Sequence, residues 1–179
     1  MAKNILILSG SPRKKGSTDL LVEAFCEGAA EAGHQITLHR VADMDIKGCR
    51  GCKYCFKKIG ECVQKDEMIP ILAEIRAADV LVFASPIYFA SVSAQLKLAL
   101  DRFFVFYMDK IPGKEYVLLL TCGEKFIEMA DETISMFHHT ALDQTWTEAG
   151  ILVATGLDEP EEIIGRPELE EARNLGRNL

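Results

Sequence analysis

No apolar run in the 179 residues approaches the ~20 that a membrane-spanning helix needs. Cations are scarce too: 20 Lys and Arg against 27 Asp and Glu leave a formal charge of −7. No long basic stripe offsets that balance, which argues against a nucleic-acid partner. Two familiar phosphate loops are missing. A P-loop needs Gly-x4-Gly-Lys-Ser/Thr, whereas five residues separate Gly10 from Gly16, and Gly16 is followed by Ser17. The dinucleotide fingerprint Gly-x-Gly-x-x-Gly is absent. No repeat, low-complexity tract or linker divides the chain. Its length fits one domain over residues 1–179, able to bury about 70% of its unfolded surface. Met1-Ala2-Lys3-Asn4 leads straight into an apolar run without a signal-peptide pattern, so the expectation is a soluble, cytoplasmic protein.

What is present starts with that run. Ile5-Leu6-Ile7-Leu8 reads as a buried strand, and Leu20, Leu21, Ala24, Phe25, Ala29 and Ala32 form a helical stripe ending at Gly33. Between them lies Ser9-Gly10-Ser11-Pro12-Arg13-Lys14-Lys15-Gly16-Ser17-Thr18. A strand-to-helix loop places unpaired N–H groups and the positive end of a helix dipole together, a combination that stabilises an anion. Ser9, Ser11, Ser17 and Thr18 add hydroxyls, Arg13 adds charge, and Gly16 lets the backbone come close. The segment reads as a phosphate cradle.

Farther along, Gln35 to Val41 alternates as a less buried strand, and Asp43 to Cys62 is a loop rich in Cys, Gly and Lys. A helix is expected over Asp66 to Ala77, with Pro70 disturbing its start. Val80 to Ala84 reads as the central strand. A long helix is expected over Ser91 to Tyr107, capped by Ser91 or Ser93. Tyr116 to Leu120 and Gly150 to Thr155 complete five strands, with helices over Lys125 to Asp143 and from Pro167 or Glu168 to Leu175.

Strands alternating with helices predict an α/β, doubly wound fold: a five-stranded parallel sheet in the order 2-1-3-4-5, covered on both faces. That is the flavodoxin-like solution. Ligands in it sit beyond the carboxyl ends of the strands. The rule brings three loops into one site: Ser9 to Thr18, Ser85 to Ser91, and Thr121 to Glu124. The strand ends lack the clustered carboxylates of a phosphorylation-driven signalling domain.

Three segments carry a resemblance to the NADPH-dependent FMN reductase family. They are Gly10-Ser-Pro-Arg-Lys-Lys-Gly-Ser-Thr18, Ala84-Ser-Pro-Ile-Tyr-Phe89 followed by Lys97 to Arg102, and Leu118-Leu-Leu-Thr-Cys-Gly123. The resemblance implies a bound FMN. Ser9, Ser11, Arg13, Gly16, Ser17 and Thr18 would hold its phosphate. Pro86, Ile87, Tyr88, Phe89 and Ser91 would hold the ribityl chain and ring edge, and Thr121, Cys122 and Gly123 would line the far side of the ring. It implies a flavin-centred oxidoreductase, with no protein residue assigned to catalysis. Electrons would pass from NAD(P)H to a quinone, flavin, oxygen or a protein carrier. It also implies a homodimer or homotetramer; Phe103, Phe104, Phe106 and Tyr107 offer aromatic surface for such a contact. Asp101-Arg102 resembles a family element, with a structural ion pair as its simpler reading. His138 and His139 are assigned to surface or packing.

Of six cysteines, Cys49, Cys52, Cys55 and Cys62 fall within fourteen residues. Such clustering in a reducing compartment favours a metal or redox site over a disulfide framework. Two Cys-x2-Cys spacings let a tight loop curl its sulfurs toward one centre, and Cys62 can close a four-thiolate site. The arrangement resembles the iron–sulfur flavoproteins, a branch of the same family, which implies a [4Fe–4S] cluster. Zinc, as in a non-catalytic interaction module, and plain free thiols are the alternatives.

Overall fold

The computed structural model describes residues 1–179. Its strands are β1 (Asn4–Ser9), β2 (Gln35–Arg40), β3 (Val80–Tyr88), β4 (Ser91–Val92), β5 (Glu115–Thr121) and β6 (Thr147–Ala154). The helices are α1 (Ser17–Glu31), α2 (Tyr54–Lys57), α3 (Met68–Ala77), α4 (Ala94–Arg102), α5 (Asp131–Gln144) and α6 (Pro167–Arg177). No helix is long and apolar enough to cross a membrane.

Five parallel strands run in the order β2-β1-β3-β5-β6, the predicted doubly wound arrangement. The sheet nevertheless has six strands, not five. Tyr88 and Ser91 pair across a two-residue turn, so β4 lies antiparallel to the end of β3. Phe89 and Ala90 in the turn both have positive φ, 49° and 59°, as the tightest hairpin connection requires. Neither is a glycine, and the turn therefore carried no glycine signal in the sequence.

The alternation of strand side chains builds two cores. Ile5, Ile7, Val80, Val82, Val117 and Leu119 face α1 and α6, while Leu6, Leu8, Leu81, Phe83, Leu118 and Leu120 face α3, α4 and α5. Burial on both faces accounts for the near-continuous apolar runs in the central strands. β2 lies at one edge and is largely exposed or half-buried, matching its alternating sequence. On the first face the backbones of α1 and α6 nearly touch. A Cβ on Gly28 would lie 1.8 Å from the Arg173 carbonyl oxygen.

Two predicted helices differ in extent. The one expected over Ser91 to Tyr107 begins only at Ala94, because Ser91 belongs to β4 and the Ser93 hydroxyl accepts the Leu96 N–H at 3.2 Å. It ends at Arg102 and tightens into a 3-10 turn over Phe103–Phe106. The helix expected from Lys125 begins at Asp131, after a 3-10 turn over Ile127–Ala130. Pro70 sits in the first turn of α3, where its missing N–H costs no helical bond. The loop from Asp43 to Cys62 contains the four-residue α2.

Candidate functional site

The carboxyl ends of β1, β3 and β5 open on one cleft of about 670 Å³, a volume suited to a small molecule or cofactor. Its anion side is the start of α1. Gly16 is the N-cap and offers no side chain, so the first-turn N–H groups have no side-chain cap. Ser11, Arg13, Gly16, Ser17 and Thr18 line this side. Ser11 donates to the Arg13 carbonyl at 3.1 Å and shapes the loop. Arg13 donates to the Asp158 carbonyl at 2.9 Å. Deeper in, the Thr18 and Thr121 hydroxyls meet at 2.8 Å, tying α1 to the end of β5.

The loop is braced from two sides. Gly10 continues the β1–β3 ladder through its N–H to Ala84, and its carbonyl accepts the Ser93 hydroxyl at 2.6 Å. A Cβ at Gly10 would lie 2.5 Å from Leu96 Cβ, so this glycine permits close packing against the start of α4. On the other side Arg40 donates to the Ser11 carbonyl at 3.1 Å and pairs with Asp19 and Asp43. Burial works to lower the Arg40 pKa, but its hydrogen bonds to the Asp43 and Asp19 carboxylates outweigh that and raise the value. Asp19, the one acid in the first turn of α1, is thereby paired rather than left opposing an anion.

Pro86, Ile87, Tyr88 and Phe89 form the second wall, and Thr121, Cys122 and Gly123 the third. Thr133 donates to the Ala90 carbonyl at 3.1 Å and fixes the hairpin to α5. Phe89 is fully exposed at its tip and Tyr88 half-exposed beside it. Ser9 and Ser91 stand outside the lining. Ser9 is buried with no partner for its hydroxyl, and Ser91 lies in β4. The cleft also takes in Ala90 and Glu124, which lie inside the predicted loops, and recruits Met129, Leu157 and Asp158, which the sequence reading missed. Leu157 and Asp158 follow β6, and the strand-end rule could have found them had it been extended to that strand.

The second centre lies past the far end of α4. Cys49, Cys52, Cys55 and Cys62 line one small pocket together with Arg102 and Phe104. All four are free thiols, and no three of the molecule's His, Cys, Asp or Glu side chains stand in metal-ligating arrangement. Burial raises the Cys55 pKa, with further upward contributions from Cys49, Cys52 and Cys62. Phe56 packs edge-on against Phe104 and Tyr107 at centroid distances of 5.3 and 5.7 Å. Phe106 is buried in the core. Of the aromatic surface expected to meet another subunit, Phe106 is thus internal, while Phe104 and Tyr107 pack against Phe56 and stay 39% and 50% exposed.

Arg102 pairs with Asp66 at 2.6 Å, not with Asp101, which pairs with Lys97. Both members of the Arg102–Asp66 pair are almost fully buried. Burial works to raise the Asp66 pKa; the hydrogen bonds from Arg102 and the Lys47 and Met68 amides overcome it and hold the carboxyl below its ordinary value. His138 meets Glu148 at 2.9 Å on the surface, away from both centres.

The model of the NADPH-dependent FMN reductase family matches residues 3–144. The chain belongs to this family. An iron–sulfur flavoprotein of Methanocaldococcus jannaschii is 40% identical over 98 residues, covering 55% of this chain and 50% of that protein. One from Archaeoglobus fulgidus is 36% identical over 98 residues, covering 55% and 47%. The chain spans about half the length of the curated relatives it matches. Among solved structures, an NAD(P)H:quinone oxidoreductase from Methanothermobacter marburgensis superposes with a TM-score of 0.78 at 22% identity, covering 99% of this chain and 96% of that one. At that identity the likeness is one of fold.

For a member of the FMN reductase family the residues present fit the flavin nucleotide. A helix start without a side-chain cap and three hydroxyl side chains suit the phosphate. The apolar hairpin wall suits a planar ring.

Proposed function

We propose that the cleft binds FMN and that the protein is an NAD(P)H-dependent oxidoreductase with a small quinone or free flavin as acceptor. The observation that carries this reading is the start of α1, without a side-chain cap, opening on the same cleft as the Pro86–Phe89 wall. FMN, when bound, would supply the redox chemistry that couples a reduced nicotinamide to the second substrate. The first-turn N–H groups of α1, with Ser11, Ser17 and Thr18, hold the phosphate, and Arg13 adds charge at the mouth. Pro86, Ile87, Tyr88 and Phe89 flank the ribityl chain and ring. Thr121, Cys122 and Gly123 line the far side of the ring. A homodimer or homotetramer whose second subunit covers Tyr88 and Phe89 would complete the cleft's wall, a reading supported by the exposure of both rings.

A second redox group on the cysteine loop is supported by the convergence of four thiols on one pocket beside a buried arginine. Cys49, Cys52, Cys55 and Cys62 would hold a [4Fe–4S] cluster, which supplies single-electron exchange. A zinc-binding interaction module would leave the helix-start cradle without a purpose.

The test is the visible spectrum of protein purified without oxygen, with iron and acid-labile sulfide assayed on the same sample. Flavin bands near ~450 nm, bleached by NADH or NADPH and restored by a quinone, are expected. About four irons per chain would establish the cluster. Flavin without iron would leave an FMN reductase with spectator thiols, and failure to take up added FMN would overturn the central reading.

A further inference from the structure

Arg102 is the last residue of α4, and its side chain is 1% exposed. Burying a guanidinium that deeply is unfavourable unless its charge is paired and hydrogen-bonded; here Nε has no partner, and the two Nη groups make all the bonds. One arm, Nη1, donates to the Lys47 carbonyl at 2.8 Å and to Asp66 Oδ2 at 2.6 Å. The other, Nη2, donates to Cys62 Sγ at 3.3 Å. Lys47 precedes the first cysteine of the loop by two residues, and Cys62 is its last. One planar group therefore grips both ends of the loop, and its rigid fork is what makes three simultaneous bonds feasible. Asp66 reinforces the grip by accepting the Lys47 N–H at 3.1 Å and the Met68 N–H at the start of α3.

We propose that Arg102 is the positioning residue of the cysteine site: it closes the loop that presents the four thiolates and, through its bond to Cys62, sets the electron affinity of the group they hold. The potential part of this inference rests on the cluster reading above; the closure part needs only a four-thiolate site. A cationic donor on a ligating sulfur withdraws charge from it and favours the reduced form of a cluster.

The test compares wild type with Arg102→Lys, Asp66→Asn, and the double variant Arg102→Gln with Asp66→Asn, which leaves no unpaired charge in the interior. Lys97→Ala, an exposed change, is the control. Each full-length protein is first titrated, as reduced apoprotein, with cobalt(II), whose spectrum reports tetrahedral thiolate ligation. The double variant is expected to bind cobalt about 10–100-fold more weakly than wild type. Arg102→Lys should fall between, and FMN uptake should be the same in all. After anaerobic iron and sulfide loading, the midpoint potential of the double variant should be more negative than that of wild type.

Wild type that binds cobalt but holds no iron, with the weakening still seen in the double variant, would defeat the cluster reading and leave the closure role standing. Equal cobalt affinity across the series would overturn the proposal, as would an unchanged potential in iron-loaded protein. Wild type that binds neither metal would overturn it as well.

Discussion

The candidate FMN cleft is braced at the start of α4 through Gly10 and Ser93, the cysteine loop at its end through Arg102, and the two are held in different ways. The cleft is made of strand ends and a helix start, fixed by the sheet ladder and by hydroxyl bonds from Ser93, Thr18 and Thr121. Its chemistry resides largely in backbone N–H groups that the fold positions whatever the side chains are. The cysteine loop has only the four-residue α2 as regular structure. It is held by side chains reaching in from elsewhere: Arg102, Asp66, Gln64 donating to the Gly48 carbonyl at 3.0 Å, and the Phe104–Tyr107 pair. A site built on the ladder spreads its dependence over many bonds. A site tethered by a few side chains concentrates it.

The largest effect that separates the two is expected from Arg102→Ala. It strands Asp66 without its cation, at a cost of about 3–5 kcal/mol, and iron capacity should fall while FMN uptake survives in the folded fraction. Chemical denaturation and metal analysis on one preparation check this; loss of both cofactors together would mean that the sites are not separable. Acid should open the same lock. Because the Asp66 pKa is lowered in the folded protein, its stabilisation is complete above the ordinary carboxyl value and disappears as pH falls through the lowered one. Melting temperature against pH should therefore show an acid limb that flattens in Asp66→Asn.

Gly10→Ala should cost about 1–3 kcal/mol by overpacking, since the new methyl would meet Leu96 and Ser93. Its effect should reach FMN binding, measured by flavin fluorescence, and leave cobalt binding by the thiols unchanged. Thr18→Val leaves the buried Thr121 hydroxyl without its partner. About 1–2 kcal/mol of stability should be lost, with weaker FMN uptake and again no change at the cysteines. The smallest effect has the opposite sign. Ala90 holds a left-handed conformation, and Ala90→Gly should stabilise the free protein by about 0.5–1 kcal/mol, read as a higher denaturation midpoint.

Much of the cleft was legible because strand ends follow from hydrophobic pattern and the switch-point rule does the rest. Ser11, Arg13, Gly16, Ser17, Thr18, the Pro86–Phe89 segment and Thr121–Gly123 all line one space. Ser9 stays beneath it, since being last in β1 says nothing of whether a hydroxyl emerges from the sheet. The β3–β4 hairpin was illegible because Phe89 and Ala90 adopt positive φ without glycine or asparagine. They are held there by tertiary partners such as Thr133.

Local spacing in the chain determined the elements: apolar runs and stripes placed the strands and helices, the hydroxyl-rich turn marked the cradle, and the cysteine triplets marked the thiol centre. Those signals act within a few residues, over distances that backbone geometry dictates. The tertiary structure alone decided that Arg102 serves Cys62 and Asp66, that Phe104 and Tyr107 cover the loop with Phe56, and that Leu157 and Asp158 join the cleft. Each of these pairings joins residues dozens of positions apart or more. Their choice depends on which buried charge or exposed ring the finished packing leaves to be satisfied, and no local pattern records that.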